Sequence, residues 1–109
     1  MAYNLIGWAY ISSGNYKLAK QNFDTAIKLD PKLAAVYLNM GQMYEKMGYA
    51  LTAKEYYKQA FTIDENTSSI GTTAAERYNK IAQLEQEKAK QQLNSVPRGT
   101  IYQVNTFNP

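Results

Sequence analysis

The sequence predicts an all-α fold of antiparallel helical hairpins stacked on one another. Three observations predict it: the chain resembles itself at an offset of 34 residues, its apolar residues recur at helical spacing, and glycine and proline fall where those helices must stop. Set against itself at that offset, Tyr3, Gly7, Tyr10, Gly14, Ala19, Lys20, Ala26 and Asp30 fall on Tyr37, Gly41, Tyr44, Gly48, Ala53, Lys54, Ala60 and Asp64. About two such identities are expected from ordinary residue frequencies. Ile6 with Met40, Phe23 with Tyr57 and Leu29 with Ile63 add conservative matches.

Each unit reads as a helix, a tight turn and a returning helix. Tyr3, Ile6, Gly7 and Tyr10 follow the i, i+3, i+4, i+7 rule, as do Tyr37, Met40, Gly41 and Tyr44. A second amphipathic stretch runs through Ala19, Phe23, Ala26 and Ile27 and returns as Ala53, Tyr57, Ala60 and Phe61. Gly14 and Gly48 supply the left-handed residue that ends a first helix, and Asn15 is a cap for the next. Asp30-Pro31 ends the second helix, because the residue before proline is pushed out of the helical region. Gly7 and Gly41 are expected to face the returning helix, where a side chain would hold the two backbones apart.

The period fails after Asn66, and Thr67-Ser68-Ser69 offers caps for one long helix over about 71–93. Ile70, Ala74, Tyr78, Ile81 and Ala82 form its packing face, and beyond Leu84 it becomes polar on nearly every side, as a helix closing the end of a repeat stack should. The expected organisation is therefore a first repeat over 1–33, a second over 34–67, a capping helix over 68–93 and an extended or flexible tail over 94–109. Ile101, Tyr102, Val104 and Phe107 in the tail are expected to dock on an apolar surface of this chain or of a neighbour.

The ordered series aromatic, large apolar, glycine, tyrosine, alanine, aromatic, alanine, proline resembles the tetratricopeptide repeat. Tyr3, Ile6, Gly7, Tyr10, Ala19, Phe23, Ala26 and Pro31 match it throughout the first unit, and Tyr37, Met40, Gly41, Tyr44, Ala53, Tyr57 and Ala60 in the second, where Glu65 replaces the proline. The resemblance covers about residues 1–67. It implies a short right-handed solenoid of about five helices that binds another polypeptide, an extended peptide or a partner helix, in a concave groove lined by the first helix of each repeat. The family's groove positions fall on Asn4, Leu5, Trp8, Ile11 and Ser12, then Leu38, Asn39, Gln42, Glu45 and Lys46, and in the cap Thr72, Thr73, Glu76 and Asn79. Some members hold a chaperone C-terminal carboxylate with basic and amide residues. Asn4, Trp8 and Thr73 stand at three of those places and leave only Asn39, so that activity is not implied here.

Composition narrows the function further. The chain of 109 residues has no histidine and no cysteine, which removes the commonest general base, thiol chemistry and most metal ligands. There is no glycine-rich phosphate loop and no carboxylate cluster at ligand spacing, so neither catalysis nor a cofactor nor a metal is expected. The net charge of +3 is mild and its basic residues are scattered, which argues against nucleic acid even though ten tyrosines offer stacking surfaces. At least five of those tyrosines fall on packing positions. Self-association through open repeat ends or the tail is the alternative to peptide binding. No apolar run reaches the roughly 20 residues of a membrane span, and no secretory signal begins the sequence. A complete chain is then expected in the cytoplasm, and a fragment of an exported protein in the periplasm or envelope. The bare first repeat favours the fragment.

Overall fold

A computed structural model describes residues 2–65 and 68–95. They form five helices and no strand: α1 (Ala2–Ser12), α2 (Tyr16–Leu29), α3 (Ala34–Lys46), α4 (Ala50–Asp64) and α5 (Ser69–Ser95). α1 packs on α2 and α3 on α4, while α5 lies against α4; α1, α3 and α5 also touch in sequence. The residues expected to form the docking tail, from Ile101 to Phe107, lie outside the described part of the chain.

The two hairpin turns are the same device built twice. Gly14 and Gly48 have φ of 79° and 89°, the left-handed region that costs glycine nothing. After α1, the Asn15 amide donates to the Tyr10 carbonyl at 2.8 Å and the Gly14 amide to the Ile11 carbonyl at 3.0 Å. After α3, Tyr49 donates to Tyr44 and Gly48 to Glu45 at the same two distances. These paired bonds satisfy the carbonyls a helix end leaves open. The side chains then diverge. Asn15 caps α2 by accepting from the Leu18 amide at 3.3 Å, whereas Tyr49 makes no side-chain cap and sets its ring edge-on to Tyr44.

The helical glycines are where the returning helix comes closest. A Cβ on Gly7 would sit 2.5 Å from Cε1 of Phe23, and one on Gly41 would sit 2.5 Å from Cε1 of Tyr57. Both rings have no exposed surface. Each hairpin is therefore keyed by one aromatic ring filling the space that one glycine leaves.

The second helices end differently. In α2 the chain leaves at Asp30, whose extended backbone (φ −146°, ψ 90°) is what Pro31 demands. With Glu65 in place of that proline, α4 includes Asp64 and stops on Glu65 in the left-handed region, φ 46°. Asp64 then turns its carboxylate to the start of α5, accepting from the Gly71 amide at 2.6 Å and the Ser68 hydroxyl at 2.7 Å. The Ser68 hydroxyl in turn accepts from the Ile70 amide at 3.2 Å. These acceptors satisfy N-terminal amides and carry α5 back to Ser69, two residues before the start expected from periodicity.

Two apolar clusters hold the stack. The first joins Ile11 of α1 and Ala19, Phe23 and Ala26 of α2 to Val36, Met40 and Met43 of α3. The second joins Tyr37 of α3 and Ala53, Tyr57 and Ala60 of α4 to Ala74 and Ile81 of α5. Tyr78 meets Phe61 edge-on, so α5 does pack its apolar face on the second hairpin. Tyr3 and Ile6, expected on the same packing face as Gly7, are instead 42% and 43% exposed. Their counterparts are buried, Met40 in the cluster shared with the first hairpin and Tyr37 in the cluster shared with α4 and α5, and nothing among the described residues covers Tyr3 and Ile6 to the same extent.

Candidate functional site

The first helices lie side by side and leave a cleft of about 380 Å³ across them. Trp8 of α1, Gln42, Glu45 and Lys46 of α3, and Arg77 of α5 line it. A surface helix turns its polar positions outward, so α3 and α5 present polar side chains to the cleft, and α1 sets a single indole beside them. Trp8 keeps 40% of its surface exposed, unusual for so large an apolar side chain.

Glu45 organises the cleft. Its Oε1 accepts the Tyr57 hydroxyl from below at 2.5 Å and lies 3.5 Å from Nη1 of Arg77. The buried ring of Tyr57 thereby satisfies its only polar group. Burial, and then the bond to the Glu45 carboxylate, push the Tyr57 phenol well above its usual range, so it stays protonated and donates. Oε1 of Glu45 is engaged by two donors, and the cleft is also lined by the Gln42 amide, the Lys46 ammonium and the remaining N–H groups of Arg77, which can make further hydrogen bonds.

Of the residues that the repeat pattern marks, Trp8, Gln42, Glu45 and Lys46 converge on this cleft. Asn4 and Asn39 do something else: the Asn39 amide donates to Asn4 Oδ1 at 2.8 Å, with Asn4 buried, so this pair bolts α1 to α3. The Asn39 donor is therefore engaged within the protein. Leu38 packs against the second apolar cluster, and Leu5 is exposed on α1. Thr72 is exposed near the start of α5, within reach of the Ser68 carbonyl, and Glu76 shares a shallow depression with Arg77 and Lys80.

Ile11 is a correction. Only 3% of its surface is exposed, and it belongs to the first apolar cluster rather than to the cleft. The repeat explains why. Ile11 and Met43 share that cluster, and 34 residues later the same two positions carry Glu45 and Arg77, the ion pair at the cleft. Arg77 was missed by the repeat pattern because its register is that of an inter-repeat packing residue. The signal was opposite charge on Glu45 and Arg77 where the preceding repeat has two apolar residues.

Among the described residues no group of three or more histidine, cysteine, aspartate or glutamate side chains is arranged to hold a metal, and no helix is long and apolar enough to cross a membrane. A family model described as TPR repeat matches residues 7–48, and one described as tetratricopeptide repeat matches residues 34–67. The chain is also similar to a protein of Pyropia yezoensis described as "Uncharacterized protein ycf37", with 26% identity over 67 residues. That match takes in 62% of this chain and 38% of the relative, so the similarity spans well under half of the relative's length. The glycine–aromatic keys, the twin glycine turns and the two family matches agree: this chain belongs to the tetratricopeptide-repeat family, a protein-interaction repeat and not a catalytic fold.

Proposed function

We propose that the chain binds a polypeptide segment in the cleft where α1, α3 and α5 meet. The observation that carries this reading is the exposed Trp8 indole facing Gln42, Lys46 and Arg77 across one opening. A flat aromatic wall takes an apolar side chain, while an amide and two cations beside it take the carbonyls or acidic groups of the same segment. Leu5 extends the apolar wall along α1, and Glu76 and Thr72 continue the polar one along α5. Asn4 and Asn39 support the cleft by fixing α1 against α3, and Glu45 supports it by holding Arg77.

Trp8 is the one tryptophan of the chain, so its emission reports directly on the site. Peptides selected from a random library on the immobilised protein are expected to shift and quench that emission saturably. Trp8→Phe and Gln42→Ala should weaken the same peptides by about tenfold or more, as truncation of a central contact does. Selected peptides that bind without changing Trp8 emission, and bind both variants as well as the native chain, would place the site elsewhere.

A further inference from the structure

α5 outruns the hairpin it packs on. α1 and α3 each stop on a glycine turn, and Lys46, the last residue of α3, stands 34 residues before Lys80. α5 makes no turn there and runs on from Ile81 to Ser95, about 22 Å further at about 1.5 Å per residue. Between this extension and the start of α4 lies a groove of about 410 Å³. Ala50 and Leu51 of α4 form one wall, and Ile81, Leu84, Ala89 and Gln92 of α5 the other, at the spacing of one helix face. Leu51 and Leu84 are each more than half exposed.

The charges of the groove select what it can take. Both of its carboxylates are paired, Glu85 with Lys54 at 2.8 Å and Glu45 with Arg77 at 3.5 Å. Lys88, the remaining ionic member, adds an aliphatic stem to the apolar surface. The groove therefore suits an uncharged segment with apolar anchors. The chain carries such a segment: from Gly99 to Pro109 there is no charged side chain, and Ile101, Tyr102, Val104 and Phe107 lie within it.

We propose that residues 100–107 of the same chain occupy this groove, returning along α5. α5 ends at Ser95, one turn beyond Gln92, so the chain leaves the helix at the mouth of the groove. In Val96-Pro97-Arg98-Gly99, proline and glycine stand at the second and fourth places, where a type I turn favours them. Ile101, Val104 and Phe107 recur every third residue, so an extended chain with three residues per turn sets them along one edge. At about 3.1 Å per residue that edge is about 19 Å long. From Gln92 back to Ile81 the helix spans about 17 Å, so the lengths agree. Joined only through residues 96–99, the segment is held at the groove at an effective concentration on the order of millimolar, which a second copy in micromolar solution does not match. Glu45 also lines the Trp8 cleft, but the other residues of the two sites differ, so this seat stands apart from peptide binding.

The chain has no cysteine, so introduced pairs report the contact. In the full chain at low micromolar concentration, Leu84→Cys with Val104→Cys is expected to form a disulfide within one chain. Its effective concentration against glutathione should exceed that of Gln86→Cys with Val104→Cys by about tenfold or more. Gln86 is exposed on the opposite side of α5 and nearer its end, so a segment bound nowhere reaches it at least as readily. Leu51→Cys in place of Leu84→Cys should show the same advantage, so that if either variant fails to fold, the other decides. Adding Ile101→Asp and Phe107→Asp should abolish the advantage with the helical circular dichroism unchanged. Equal values for the groove and control positions, an advantage that persists with both aspartates, or a disulfide formed mainly between chains would each overturn the proposal.

Discussion

The Tyr57 hydroxyl donates to Oε1 of Glu45 across the second hairpin, at the positions that Phe23 and Ile11 occupy in the first. The exchange is coordinated: a ring that gains a hydroxyl has gained an acceptor, and where both lose polarity the pair is simply core. Tyr57→Phe alone should cost about 1 kcal/mol, since it strands a half-exposed carboxylate that water partly satisfies. Adding Glu45→Ile, which copies the first hairpin, should recover part of that loss. Urea unfolding of the native chain, both single variants and the double variant measures the coupling, expected at about 1 kcal/mol. Strict additivity would show that the bond contributes nothing.

The same hydroxyl predicts a pH dependence. Its folded-state value lies above the ordinary tyrosine value of about 10, so above that pH the unfolded chain loses the proton more readily than the folded one. The contribution is present in full below about pH 10 and is lost as pH rises further. Melting temperatures from pH 8 to 11 should therefore fall more steeply for the native chain than for Tyr57→Phe. Parallel curves would remove Tyr57 from the account.

Gly41→Ala places a methyl group 2.5 Å from the Tyr57 ring. The better helix propensity of alanine returns up to about 1 kcal/mol, but overpacking a fixed aromatic costs about 1–3 kcal/mol. A net loss of about 1 kcal/mol is expected, lowering the melting temperature by about 4–8 °C. Gly7→Ala should behave alike against Phe23, and Tyr57→Leu should relieve part of the Gly41→Ala defect.

Glu65 ends α4 with φ of 46°, a conformation that costs a side-chain-bearing residue about 1–2 kcal/mol. Glu65→Gly should raise stability by about 0.5–1 kcal/mol after the added freedom of the unfolded chain is subtracted. A loss of stability on thermal melting would mean that the Glu65 side chain contributes more than its backbone costs.

The sequence carried the hairpins because local chemistry sets them: a glycine with positive φ, a proline that stops a helix, and a small residue opposite a ring leave the same mark in each repeat. It carried less of the cleft. Asn4 and Ile11 fall on the groove side by position, yet one is consumed by Asn39 and the other by Met43 and its neighbours. Both depend on which residue stands one repeat away, not on helical phase. Arg77 was hidden for the same reason, since only its juxtaposition with Glu45 brings it to the opening. The exposure of Tyr3 and Ile6 likewise depends on what packs outside the hairpin, which periodicity within the hairpin does not encode.

The most direct test of the binding site is amide chemical-shift mapping with a selected peptide. Perturbations are expected to cluster at Trp8, Gln42, Glu45, Lys46 and Arg77, drawn from α1, α3 and α5 together. The outer face of α4 offers the contrasting surface, a shallow depression lined by Glu55, Lys58, Gln59, Thr62 and Ile63. Shifts confined to those residues, with the Trp8 signals unmoved, would contradict the proposed cleft.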